Sequence, residues 1–599
     1  MKNLNCKCFN PDQFSWLHVA CGFIQATFAY LARVMPFREE RLKYGSICFD
    51  ELNINRDCDI DRLLDLPINP ECKKDAQIMM YRQLAGKEKL PFFVDVDHAV
   101  TPEDLKETFE RFRNVGIEIL SVTCDQGAKN RTLANQLGIS VNKRDNRSVY
   151  TFEHPLDPEK EVFWIWDFVH LYKSLRNHLL DDKTTLPCGS TVTKFDFYHL
   201  LDKLSAEVGS EHTSGFHINS DNLECEGQDR QSVSLCTNLL SERTGQAFIK
   251  YFPNNKAKKA LGKFIICAAK AFKIMTSRCM VHKKDKLKSA LRMHYEEQSK
   301  ILNELKWYME NMKFCNPNSY VNYFRKGIIC TIINIFALHS YMKEHLNLPY
   351  LMTSHVDQDY QESYNKKMRA ADGRGGNRNP TGLQLNYRIA KDIACSILND
   401  EFSRSKGFSI FDMKDELSKD LKKEKFCDDS LIMIPRKIKE SEADGIFWGA
   451  GFVAFKMKDI QPLGAYERDA TTAHAKNKFT SLVNRGNLQL PLKTWLKDYH
   501  EIERYFHSYH PKNGIRPGRG LLNNFFIQIK KRFPNYDDRV LQLTTRVLTR
   551  FRMRKVNRIL QEKDRARKNP HFMTIRKGKK ATPITPRGRK KGIETQFNC

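Results

Sequence analysis

Three strand-like apolar runs in the first third of the chain each close on an aspartate: ICFD on Asp50, IEILSVTCD on Asp125 and EVFWIWD on Asp167. A sheet interior disfavours unpaired charge, so acids repeated at the ends of buried runs constrain the fold more than any other feature of this sequence. A further strand signal, LPFFVDVDHAV, and two helical ones stand among them. TPEDLKETFERFRNVG opens on Thr101 with Asp104 three residues on, a capping box, and stops at Gly116; KNRTLANQLG is a shorter helix. Strand, helix, strand, helix, strand predicts an α/β sheet with covering helices. It also predicts the three carboxylates along one edge of a parallel-containing sheet, where ligand sites gather.

Two readings of these acids stand side by side. Each aspartate caps a following helix or turn, or together they hold Mg²⁺ or Mn²⁺, hard ions that take carboxylate oxygens and promote in-line phosphoryl transfer. Charge bears on the choice. Lys plus Arg number 99 against 71 Asp plus Glu, a net +28 that suits a polyanionic partner, nucleic acid before membrane surface. Residues 551–599 alone hold 16 Lys/Arg and three acids, 16 − 3 = +13. Their RKGKK and RGRKK clusters, at Arg576 and Arg587, read as a nuclear import signal, a phosphate-binding arm or a solvated disordered tail.

At 599 residues the chain is too long for one core. The expected units are an N-terminal helical segment (1–40), a first α/β part (41–178), a helical insertion (179–345), a last α/β part (346–400), a charged linker (401–443), a helical C-terminal domain (444–560) and a basic tail (561–599). The apolar stretch 14–35 carries His18, Gln25 and Arg33, so it is expected as a buried amphipathic helix rather than a membrane span. Seventeen irregularly spaced cysteines predict reduced thiols, and neither Cys6-Lys7-Cys8 nor Cys279-x-x-His282 has the spacing of a zinc site.

A family resemblance sharpens this. The strings GFIQATFAYL, ICFDELNI, VGIEILSVTCDQGAKNRTLANQLG, WDFVHLYKSLRNHL, and DQDYQESYNKKMR with GGNRNPTGLQLNYR resemble P-element-type transposases and occur in that family's order. FWGAGFVAFKM and FTSLVNRGNLQLPLKTWL echo its later signature. The resemblance spans about residues 20–560. It implies an RNase H-like catalytic domain interrupted before its last helix by a large helical insertion that binds GTP in the family, followed by a helical C-terminal region. By motif, Asp50 of FDEL, Asp125 of CDQG and Glu362 of DQDYQE take the places of the catalytic, metal-binding acids. The interval 362 − 125 = 237 residues requires an inserted domain. The same three carboxylates are then expected to converge within metal-bridging distance.

For the nucleotide, the resemblance implies Asp167, Lys173 and Asn177 of DFVHLYKSLRN, with Val169 standing where the family has proline, and Asp359 near the nucleotide and its magnesium. At 229–241 Ser232 and Ser234 replace the Asn and Lys of the family's guanine-reading pattern. Residues 1–13 show no THAP zinc-finger spacing, so the element that reads a transposon end is expected to be missing. The function implied is metal-dependent cleavage of double-stranded DNA and transfer of transposon ends into target DNA. It would take place in the nucleus, by a homo-oligomer without membrane association. A domesticated DNA-binding or assembly protein, and a nucleotide-gated scaffold, remain open beside it.

Overall fold

A computed structural model of the chain describes residues 19–61, 65–139, 150–208, 218, 220–292, 294–314, 319–370, 379–399, 435–436, 443–465, 489–511 and 514–568. The basic clusters at 576–591, residues 1–18, nearly all of the expected linker and much of GGNRN and FTSLVNRGN lie outside the described residues. The chain divides into two compact units. One comprises Met1–Asn53, Asp75–Pro380 and Gln384–Lys419; the other comprises Ile54–Lys74, Thr381–Leu383 and Asp420–Cys599.

The first unit is built on a seven-stranded sheet of β1 (Gly22–Phe23), β2 (Tyr44–Asn53), β3 (Asp75–Gln83), β4 (Lys89–Val96), β5 (Glu118–Cys124), β6 (Thr151–His154) and β7 (Asp157–Trp166), in the order β1-β4-β3-β2-β5-β7-β6. The sheet is mixed. β2 pairs antiparallel with β3 and parallel with β5, and β5 pairs parallel with β7. Helices α1 (Gln25–Val34) and α2 (Pro102–Asn114) bury Phe28 and Phe112, whose rings lie 5.2 Å apart and contact Phe92 of β4. The predicted capping box starts α2: Asp104 N–H donates to Thr101 Oγ1 at 3.2 Å and Thr101 N–H to Asp104 Oδ2 at 2.8 Å. Gly116 ends the segment with φ +77°, the left-handed geometry that glycine tolerates.

The short helix α3 (Ala128–Gln136) follows β5, and α4 (Phe168–Asp181) follows β7. Most of the described residues after α4 are helical: α5 (Lys194–Val208), α6 (Glu242–Tyr251), α7 (Lys256–Met275), α8 (Tyr295–Asn311) and α9 (Ser319–His345) come before α10 (Asp359–Ala370) and α11 (Gly382–Asn399). α6 and α7 meet glycine to glycine, since a Cβ on Gly245 would lie 2.5 Å from the Gly262 carbonyl. α9 returns to the sheet, where Thr331 Oγ1 donates to Trp166 O at 3.0 Å and Asn334 Nδ2 to Trp164 O at 2.6 Å.

The second unit joins a β-hairpin (Asp59–Asp61 with Leu66–Ile68) to α12 (Ala443–Met457), α13 (Lys493–Tyr509), α14 (Leu521–Arg532) and α15 (Asp538–Lys568). Trp495, Tyr499, Phe506, Phe525, Val540 and Leu541 form its core, and Cys58 packs into it. Asp65 starts α14, its carboxylate accepting the N–H groups of Leu522 and Asn523 at 2.7 and 2.8 Å. Residues 54–74, expected within the first α/β part, thus fold with the C-terminal helices. The twelve described cysteines form no disulfide with one another, and among the described residues no helix is long and apolar enough to cross a membrane.

Candidate active site

The three parallel neighbours β2, β5 and β7 bring the strand-end acids to one edge. Asp125 and Asp167 directly follow the last residues of β5 and β7, and the Asp167 N–H donates to Cys124 O at 2.9 Å. Asp50 lies three residues inside the end of β2, where the pairing of β2 with β5 has stopped at Cys48↔Thr123. The next residue, Glu51, is exposed and pairs with Lys129 at 2.8 Å, as the alternation of a strand requires.

Helix α10 and the residues before it are fastened to that edge by amide side chains. Gln358 Nε2 donates to Phe49 O at 2.6 Å, Gln361 Nε2 to Ile78 O at 3.0 Å, and Asn365 Nδ2 to Asp50 Oδ2 at 3.1 Å. Residues 358, 361 and 365 recur at the helical spacing of one face, so this face of α10 is buried through hydrogen bonds where an apolar stripe is usual. Thr123 Oγ1 adds a bond to Val356 O at 3.0 Å. Glu362, in the first turn of α10, is thereby brought to the strand-end acids.

Each carboxylate already has protein partners. Asp50 accepts from the Glu51 N–H at 2.9 Å as well as from Asn365. Asp125 Oδ1 accepts from the Gly127 N–H at 2.9 Å and from Asn130 Nδ2 at 2.7 Å. Glu362 is surrounded by cations: His170 Nε2 and Lys173 Nζ each stand 3.8 Å from Oε1, and Lys366 Nζ stands 3.7 Å from Oε2. Asp167, 1% exposed, accepts the His170 N–H at 2.8 Å and the Gln358 N–H at 3.0 Å, and it pairs with the His170 ring at 3.1 Å. It caps α4 and ties α4 to α10. Its buried carboxyl nevertheless sits below the usual range because His170 and these N–H groups favour its charged form.

The electrostatics mark the acids as one cluster. Burial pushes Asp50 up to about 6; the His170 charge opposes this, and the charges of Asp125 and Glu362 add to it. Burial alone would lower His170, but the bond and charge of Asp167 outweigh it and hold the imidazole at about 9. Asp357, fully buried beside Asp167 and Asp359, is pushed well above the carboxylate range, and its Oδ2 has no hydrogen-bond partner among the described residues. The expected convergence within metal-bridging distance is not reached: among the described residues no three His, Cys, Asp or Glu side chains stand as a group that could hold a metal ion. Each carboxylate is instead engaged by the donors and cations named above. The donor set suits a hard dication, and Asn365 Oδ1, buried and without a hydrogen-bond partner among the described residues, is a further oxygen beside Asp50.

The residues expected to hold a nucleotide separate. Asp167 and the buried Lys173 belong to the acid cluster, and Asp359 pairs with Arg278. Asn177 lines a polar cavity of about 190 Å³ with Asp181, Lys194, Cys225 and Arg230, and its Oδ1 accepts from the buried Arg176. His170, Asn365, Gln358 and Gln361 were not singled out from the sequence. Amides at 358, 361 and 365, at helical spacing around Glu362, were the legible signal for three of them.

A mixed sheet with acids at the ends of adjacent parallel strands, met by an acid on a later helix, defines an RNase H-like domain, and residues 19–138 match the TNP-like, RNase H N-terminal domain. The chain is P-element transposase-like. It is 27% identical over 356 residues to the Transposable element P transposase of Drosophila melanogaster, an alignment covering 58% of this chain and 44% of that protein. It is 32% identical over 73 residues to the human DNA transposase THAP9, covering 12% of this chain and 8% of that protein. The chain thus spans less than half the length of either relative. In fold it resembles the Drosophila P element transposase strand transfer complex, with a TM-score of 0.57 and 24% identity over 66% of this chain and 86% of that one.

Proposed function

We propose that this protein cleaves and joins DNA strands in a metal-dependent phosphoryl transfer, with Asp50, Asp125 and Glu362 as the metal-binding acids. The observation that carries this reading is the placing of Asp50 and Asp125 at the ends of adjacent parallel strands beside helix α10, which bears Glu362 and is tied to Asp50 by Asn365, in a chain with 28 excess positive charges. Mg²⁺ or Mn²⁺ bound there would polarise the scissile phosphate and lower the pKa of an attacking water or 3′-hydroxyl. The chain's own residues do the rest. Asn365 holds the Asp50 carboxylate in place, and Asp167 fixes the start of α4 against Gln358. His170, Lys173 and Lys366 put positive charge beside Glu362, where a phosphate in transit gathers negative charge.

The proposed partners are double-stranded DNA, as transposon ends and target, and a second copy of the chain; the proposed place of action is the nucleus. Purified protein incubated with duplex DNA and Mg²⁺ or Mn²⁺ should nick it and join 3′ ends to a second duplex. Asp50→Ala, Asp125→Ala and Glu362→Ala should each abolish both steps while leaving the fold intact. A wild-type chain inert with both metals on varied DNA ends overturns the enzyme reading and leaves that of a domesticated DNA-binding or assembly protein.

GTP is the nucleotide proposed for the helical insertion, resting on the match of Asp167, Lys173 and Asn177 to the family motif and on the polar cavity at Asn177. Titration of labelled GTP against wild type, Lys173→Ala and Asn177→Ala tests it. Equal or absent binding in all three removes GTP and with it the nucleotide-gated scaffold.

A further inference from the structure

Helix α15 buries Val540, Leu541, Thr544, Thr545, Val547, Leu548 and Thr549 in the second unit, and its three threonine hydroxyls bond back to carbonyls one turn earlier, so this face is complete within the unit. The opposite face is Gln542, Arg546, Arg550 and Arg554, all exposed and spaced four residues apart. Four residues of helix rise about 6 Å and turn about 40° beyond one full turn, so the three arginines form a ridge that winds gradually along the helix. No acid lies within ion-pair distance of any of the three among the described residues. By contrast, Arg539 pairs with Asp537 at 3.1 Å, and Arg552 turns inward to the carbonyls of Pro511 and Gly514. After Asp538 the helix sequence holds no acid until Glu562.

A solvated helix face ordinarily mixes the two signs at this spacing, because opposite charges four residues apart support a helix and like charges weaken it. The ridge therefore carries a repulsion that folding does not require and that a polyanion would relieve. A membrane surface is the poorer fit: a helix lying on lipid inserts an apolar face beside its basic one, and the apolar face of α15 is already enclosed by Trp495, Phe525 and their neighbours.

We propose that Arg546, Arg550 and Arg554 form a docking ridge for the phosphate backbone of duplex DNA. It would be a sequence-independent contact that holds the DNA and reads no base. The proposal rests on the reading of DNA as this chain's partner, but it needs no chemistry at the acid cluster.

The test is the binding of the full chain to a short duplex of arbitrary sequence, without divalent metal, across a salt series. For Arg546→Gln/Arg550→Gln/Arg554→Gln, the plot of log affinity against log salt should become shallower by roughly 2.7, three phosphate contacts at about 0.9 each. Affinity at low salt should fall on the order of tenfold or more, with the melting temperature maintained. The corresponding triple Lys variant should keep the wild-type slope. An unchanged slope in the Gln variant overturns the ridge, as does a loss confined to phosphatidylserine vesicles or to RNA. A chain that binds through the ridge yet never nicks DNA overturns only the transposase reading, and one that nicks DNA with an unchanged slope overturns only this one.

Discussion

Asn365 Nδ2 donates to Asp50 Oδ2 at 3.1 Å, joining helix α10 to strand β2 across 315 residues of sequence. Asn365 is itself 3% exposed, and the bond fixes the carboxylate of Asp50, which burial pushes up to about 6. Partners that orient a ligand in this way typically change metal affinity or activity by about 10–100-fold when removed. Asn365→Ala should therefore weaken Mn²⁺ binding, measured calorimetrically, by about tenfold or more. Its unfolding free energy should change only by the roughly 1 kcal/mol of one hydrogen bond. A loss of stability with metal affinity unmoved would make Asn365 a purely structural residue.

Asp167 has a structural role that separates from metal binding. Asp167→Ala removes the cap of α4 and the bond to the Gln358 N–H. It should cost at least the about 1–2 kcal/mol of a lost N-cap, and more because His170 loses its charge partner. Hydrogen exchange of the α4 amides, faster in the variant, checks this.

The close approach of α6 and α7 at Gly245 and Gly262 allows no side chain. Gly245→Ala places a Cβ 2.5 Å from a backbone oxygen that cannot swing away. The helices must separate, at a cost of about 1–3 kcal/mol typical of overpacking. Thermal unfolding of the variant should show a lowered midpoint, and an unchanged one would mean the two helices slide freely.

The second unit should be sensitive to acid through His510. This imidazole is 1% exposed and accepts the Arg516 N–H at 3.1 Å; burial lowers it to about 3, and Arg552, His507 and Arg516 add to the shift. Its folded value lies below the ordinary 6.5, so the unfolded chain takes up the proton first. The stability it contributes is complete above pH 6.5 and is lost as pH falls toward 3. Between pH 6.5 and about pH 5 the loss is about 2 kcal/mol, at roughly 1.4 kcal/mol per unit. His510→Gln keeps an acceptor for Arg516 and should flatten this dependence, read from hydrogen exchange of α13 amides.

Much of the first unit was legible because its signals are local. The Thr101–Asp104 capping box, the stop at Gly116 and the runs ending at Asp125 and Asp167 each needed fewer than about twenty neighbouring residues to read. β3 escaped, since DAQIMMYRQ has one β-branched residue, and its place between β2 and β4 is set by pairing partners far along the chain. The transfer of residues 54–74 to the C-terminal helices escaped for the same reason: Asp65 meets its partners 457 and 458 residues later. In the site, Asp50 and Asp125 announced themselves as charges ending apolar runs. Glu362 came only through resemblance, because nothing in a helix sequence says which distant strand its first turn will meet. Of the two readings of the strand-end aspartates, Asp167 shows the capping one, since its carboxylate accepts the His170 N–H at the start of α4.

Binding of Mn²⁺ to the full chain, followed by calorimetry and by the loss of the free-ion spin signal, tests most directly whether Asp50, Asp125 and Glu362 form one metal site. Wild type should take up the ion, and Asp50→Asn, Asp125→Asn and Glu362→Gln should each abolish that uptake. Any pair of them should do no more than either alone, as expected for residues acting as a unit. Equal Mn²⁺ uptake by wild type and all three variants, or none by wild type, would contradict a shared metal centre at this sheet edge.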